Sequence, residues 1–106
     1  MAFSVAKQFT DTPGPRYKNQ GKYSGQEFRE SYLETLLEQS TSTGEAITID
    51  LDGVYGYPTS FLEEAFGGLA REHSIDAVLK AFTFISKEQP GIIEEIINDI
   101  QNANAR

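Results

Sequence analysis

Residues 46–69 read AITIDLDGVYGYPTSFLEEAFGGL, and the fold turns on how that stretch is parsed. Ile47, Ile49 and Leu51 alternate with Ala46, Thr48 and Asp50. That period of two predicts a strand with one face under helices and one more open, since burial of both faces calls for a continuous apolar run. Gly53, Gly56 and Pro58 then mark a tight loop. A helix entered at Pro58-Thr59-Ser60 follows, burying Phe61, Leu62, Ala65, Phe66 and Leu69 at helical spacing. Gly67 and Gly68 each cost such a helix about 1 kcal/mol relative to alanine. Close approach of the backbone to the sheet is the expected compensation.

The junction of strand and helix gathers Asp50, Asp52, Tyr55, Tyr57, Thr59 and Ser60. Tyr57 precedes proline and is biased to an extended backbone. As exposed aromatics beside the helix start, Tyr55 and Tyr57 suit the anchoring of a partner, as they also suit packing over the sheet end. Pro58, Glu63 and Glu64 complete that candidate surface.

On the N-terminal side, residues 3–9 alternate and predict an edge strand. Residues 11–21, DTPGPRYKNQG, are loop, with a short hairpin expected between Tyr17 and Tyr23. Ser24-Gly25-Gln26-Glu27 is a capping box opening a helix that buries Phe28, Tyr32, Leu33, Leu36 and Leu37. On the C-terminal side, residues 74–80 predict a short capped helix and residues 82–86 a strand. Pro90 starts a last helix with Ile92, Ile93, Ile96, Ile97 and Ile100 inward. Strands alternating with helices give an α/β fold: a single domain over residues 1–106, with a small mixed sheet and helices mainly on one face.

The length of 106 residues suits one core without staples. Cysteine is absent, which excludes disulfides and thiol chemistry and accords with a reducing, cytoplasmic setting. No apolar run reaches the roughly 18–20 residues of a membrane span. Residues 1–25 carry Lys7, Arg16, Lys18 and Lys22 against Asp11, while the remainder holds 15 acids against five bases. An acidic body repels phosphates and argues against nucleic acid. The basic loop offers Arg16, Lys18 and Lys22 as candidates for binding a small anion. His73 is the lone histidine, so no transition-metal site is expected.

IDLDGVYGYPTSFLEEAFGGL, with GPRYKNQGKYSGQEFRE upstream, resembles a bacterial STAS-like domain family of unknown function. The likeness runs from about Phe9 to Leu69. That family is distantly similar to the STAS domains of sulfate transporters and anti-sigma factor antagonists. In those antagonists an Asp-Ser-Ser-Gly helix start is the switch, phosphorylated on its second serine. Laid on this chain, Pro58 takes the Asp position, Thr59 the first Ser, Ser60 the modified Ser and Phe61 the Gly, so two of the four differ in kind. The resemblance implies a non-enzymatic regulatory module that binds protein and needs no cofactor. Its implied partner is a histidine-kinase-like ATPase of anti-sigma type, with Ser60 or Thr59 modified. Ser60-Phe61-Leu62-Glu63 also has the form of a capping box, which leaves a purely structural role open for that serine.

Asp50-Leu51-Asp52-Gly53 supports an alternative. It resembles the first motif of haloacid-dehalogenase-type phosphohydrolases, in which the two aspartates serve as nucleophile and acid/base around Mg²⁺. Thr83 or Ser86 imitates that family's second motif. The mid-chain strand, the short chain and the lack of a later acidic pair count against it. The competing role for both aspartates is to cap the loop.

Overall fold

The computed structural model describes residues 2–105. Strands β1 (Ala2–Ser4), β2 (Ile47–Asp50) and β3 (Phe82–Ile85) form one sheet in the order β1-β2-β3. Both pairings are parallel, with Phe3 beside Ile49 and Ile49 beside Phe84. The expected mixed sheet is therefore parallel throughout. Every connection between strands passes through helices, and a helical crossover returns the chain in the same direction.

The edge strand expected over residues 3–9 stops after three residues. The chain turns into helix α1 (Val5–Gln8), because Ser4 Oγ accepts the Lys7 N–H at 3.2 Å and Gln8 Oε1 accepts the Ser4 N–H at 2.7 Å. This reciprocal cap outweighs the alternating pattern. Phe9 leaves the strand but joins the core, its ring 5.0 Å from Phe28. The expected hairpin between Tyr17 and Tyr23 is instead a 3₁₀ turn over Lys18–Gln20.

Helix α2 spans residues 25–43, with a π turn at Arg29–Leu33 between α-helical stretches Gly25–Phe28 and Glu34–Thr43. Helix α3 spans residues 59–72 around a second π turn, Glu63–Gly67. Helices α4 (Ile75–Ala81) and α5 (Gly91–Gln101) complete the layer. Ser74 caps α4 by accepting from Ala77 N–H, as expected from its sequence. Among the described residues no helix is long and apolar enough to cross a membrane.

Phe3, Ile47, Ile49 and Phe82 are buried beneath the helices. The opposite face carries Ala2, Ser4, Thr48, Asp50, Thr83 and Ile85, all exposed or half-buried. Parallel sheets are ordinarily covered on both faces; this one is covered on one, as the alternation over residues 46–52 predicted. Phe28 sits at the centre of the core, with Phe61 5.7 Å and Phe66 6.1 Å from its ring.

Helices α2 and α3 approach so closely at Gly25 that a Cβ there would lie 2.5 Å from the Phe61 carbonyl oxygen. The Gly67-Gly68 pair makes room as well, though not for the sheet. A Cβ on Gly68 would meet Arg29 Nε at 2.9 Å, and one on Gly67 would meet Glu63 Oε2 at 2.8 Å and the Asp99 carbonyl at 3.2 Å. These glycines admit a guanidinium and helix α5.

Candidate functional site

The corner from Asp50 to Glu64 is held from below by its own carboxylates. Asp50 Oδ1 accepts the Asp52 N–H at 3.0 Å, closing a turn. Asp52 accepts the N–H groups of Lys87 and Glu88, and Glu88 returns a carboxylate oxygen to Gly53 N–H at 2.7 Å. The loops after β2 and β3 are thus clasped together. Ser86 Oγ donates to the Gln89 carbonyl at 2.6 Å, and the Thr83 and Thr48 hydroxyls lie 2.9 Å apart. The side chains of the phosphohydrolase alternative all make local structural bonds.

Tyr57 is a strut, not a protruding anchor. Its hydroxyl donates to the Leu51 carbonyl at 2.9 Å and its ring packs 6.2 Å from Phe61. Burial first, then the negative charge of Asp50, Asp52 and Glu88, raises the pKa of its phenol. Tyr55 differs: its side chain is 84% exposed. Its backbone is fixed nonetheless, because Tyr55 N–H donates to the Asp11 carbonyl at 3.0 Å. An exposed ring on a pinned backbone loses little entropy when it binds.

Beyond Tyr57 the chain enters α3 with Pro58 at the N-cap, extended and without a capping side chain. Thr59 and Ser60 lie inside the helix, so the predicted capping box does not form at Ser60. The N–H groups of Thr59, Ser60 and Phe61 meet no acceptor among the described residues. Pro58 and Thr59 are exposed and Ser60 is half-buried.

Glu63 and Glu64 face an internal ion-pair network rather than open solvent. Glu63 pairs with Arg16 at 2.5 Å and Arg71 at 2.6 Å. Glu64 is buried and pairs with Arg29 at 2.9 Å. Arg29 Nε also donates to the Glu64 carbonyl, and its Nη1 reaches Glu72 at 2.6 Å. The structure therefore separates the three basic candidates of the loop. Arg16 is drawn into this network, where its pairing with Glu63 and Glu64 raises its pKa against burial. Lys18 pairs with Glu30, and Lys22 is exposed with no ion pair among the described residues. No common anion seat forms.

Arg29 and Arg71 escaped the sequence reading, and the periodicity of the last helix sends Asp99 outward where the structure half-buries it. Arg29 follows Phe28 and lies four residues before Leu33 on the inward stripe, so an inward arginine was legible there. Asp99 Oδ2 is buried with no hydrogen-bond partner among the described residues, and its carboxyl is pushed up to about 6, first by burial, then by Glu63 and Glu95. Glu34, Glu72 and His73 present ligand atoms within 4.8 Å of one another, with His73 Nε2 2.6 Å from Glu34. Arg29 already supplies positive charge to Glu72 there. A hydrogen bond that protonated Glu72 donates to Glu34, then burial, raises the Glu72 pKa.

No curated protein and no solved structure matches the chain. A family model does, over residues 24–91. That span runs from the cap of α2 through β2, the open corner, α3 and β3 to the start of α5, further toward the C-terminus than the motifs alone suggested. The chain therefore belongs to the family described as the STAS-like domain of unknown function (DUF4325).

Proposed function

We propose that this chain is a non-enzymatic regulatory module that docks a protein partner at the corner formed by Tyr55, Pro58, Thr59 and Ser60. The supporting observation is the uncapped start of α3, whose first N–H groups have no acceptor among the described residues. A helix N-terminus of this kind stabilises added negative charge through its free donors and its dipole. Phosphorylation of Ser60 or Thr59 would alter the charge of the docking face without unfolding the helix. The acids one turn onward oppose this less than their number suggests, because Glu63 and Glu64 are held by Arg16, Arg71 and Arg29.

The partner in this reading is a histidine-kinase-like ATPase of the anti-sigma type, met in a bacterial cytoplasm. Family membership favours a regulatory role of this class, and the kinase partner is the finer step. The test is incubation with such an ATPase and ATP, then mapping of phosphate by mass spectrometry. Phosphate on Ser60 or Thr59, with binding weakened in Ser60→Glu, is the expected result. Both residues unmodified, with Ser60→Glu binding like the wild type, would end the switch.

A further inference from the structure

Three metal-ligating side chains meet where the end of α3 lies against α2. Glu34 begins the α-helical stretch that follows the π turn of α2, and Glu72 and His73 end α3. His73 Nε2 is 2.6 Å from Glu34 Oε1, and one donor atom from each of the three residues lies within 4.8 Å of the others. Arg29 does not balance this cluster. Its Nη1 reaches Glu72 at 2.6 Å, but its Nη2 and Nε are taken by the buried Glu64. A metal-bound imidazole is neutral, so one guanidinium faces the carboxylates of Glu34, Glu64 and Glu72, and two negative charges are left over. Glu38 stands one turn beyond Glu34 and adds to that excess. His73 is also the C-cap of α3, where the last carbonyls of a helix favour a cation. Beside the cluster opens a groove of about 490 Å³, lined by Glu34, Leu37, Glu38, Thr41, His73 and Ala77.

We infer that Glu34, Glu72 and His73 are the ligands of one divalent cation of the zinc class, bound between α2 and α3 with its fourth position open to the groove. An imidazole with two carboxylates selects zinc and its transition-metal neighbours over magnesium and calcium, which take oxygen donors. The lone histidine suffices, because the two carboxylates complete a three-ligand set of the open kind. Nitrogen and oxygen donors around tetrahedral zinc stand about 3.4 Å apart. The separations here fall on either side of that value, from 2.6 Å between His73 and Glu34 to the outer limit of 4.8 Å. Rotation of three partly exposed side chains reaches it with both helices in place. Arg29 then acts as an outer partner: it holds one oxygen of Glu72 while Glu64 fixes the arginine itself. The site lies at the opposite end of α3 from Thr59 and Ser60, so it stands or falls apart from the docking corner.

Calorimetric titration of zinc chloride into the tag-free chain tests this, followed in parallel by NMR. One zinc per chain is expected, with micromolar or tighter affinity that millimolar magnesium does not displace. The midpoint of thermal unfolding should climb with zinc concentration. Because His73 is the only histidine, its ring resonances report on the site without ambiguity, and they should shift up to one equivalent and then stop. Loss of an outer partner alone costs a metal site roughly ten- to a hundredfold in affinity, so His73→Ala should cost about a hundredfold or more. Glu34→Gln, on the other helix, is the second variant and should weaken binding in the same direction while keeping the metal-free fold by circular dichroism. Zinc affinity no better than millimolar would overturn the inference. So would ring resonances that ignore the first equivalent, or tight binding that both variants retain.

Discussion

Arg29 Nη2 lies 2.9 Å from Glu64 Oε2, and each side chain is less than a tenth exposed. The pair bridges the π turns of α2 and α3, one residue in each. A desolvated pair of this kind is a weak net source of stability when intact, but its halves are costly when separated. Arg29→Met alone should destabilise the fold by about 3 kcal/mol in urea titration, by stranding Glu64. Arg29→Met with Glu64→Leu should lose distinctly less. Equal losses would mean that the arginine acts through packing alone.

Asp99 gives a pH dependence of defined sign. Its carboxyl is pushed up from 3.8 to about 6 by burial and by Glu63 and Glu95, opposed by Arg16 and Arg71. The folded state therefore holds a proton that the unfolded chain releases between those values. Stability from this group is complete below the unfolded pKa and is lost as pH rises through about 6. Asp99→Asn should raise stability at neutral pH by about 1 kcal/mol, after allowance for screening of a partly exposed group. It should also flatten the midpoint of thermal unfolding between pH 4 and 7.

Gly25→Ala sets two effects against each other. Helix propensity favours alanine by about 1 kcal/mol. The added Cβ would stand 2.5 Å from the Phe61 carbonyl oxygen and 3.1 Å from Glu64 Cβ. Forced overpacking of this kind costs about 2 kcal/mol or more, so a net loss is expected in chemical denaturation. A neutral or stabilised variant would show that α2 and α3 separate without penalty.

Ser24 and Ser60 should part company on replacement by alanine. Ser24 is fully buried and accepts the Glu27 N–H at 3.0 Å. Its loss should cost about 1 kcal/mol or somewhat more. Ser60 accepts no cap bond in α3, and Ser60→Ala should stay within about 0.5 kcal/mol of the wild type. Comparable losses at the two sites would return Ser60 to a structural role.

The element order, the one-sided sheet and the inward stripes of α2, α3 and α5 were legible because periodicity records which face is buried. Residues 3–9 misled because the same alternation fits a strand and a strand turning into a one-turn helix; the deciding contact is Gln8 with the Ser4 N–H. Glu27 was read as reaching the Ser24 N–H, yet it accepts from Tyr23 N–H one residue earlier. At the corner, the aspartates' loop-capping role was legible from Asp-Leu-Asp-Gly. The fate of Glu63 and Glu64 was not, because their arginine partners come from three separate parts of the chain, at positions 16, 29 and 71. Tyr55 and Tyr57 were indistinguishable by type and neighbourhood. Only the path of the loop sends one outward and hangs the other from Leu51.

The two π turns have a consequence for how this chain tolerates length changes. Each is a local widening of its helix, and widening takes up residues that an ordinary α-helical path would not need. Removing a single amino acid from Glu63–Gly67 would let α3 close into regular winding. All that follows would keep its phase, because the turn already absorbs the extra residue; only a deletion from regular winding rotates the rest by about 100°. Leu69 and Ala70 would go on facing the interior. A gap of one at that point should be easier to accommodate than one in the regular winding of Gly91–Gln101, where the inward places of Ile96 and Ile100 depend on phase.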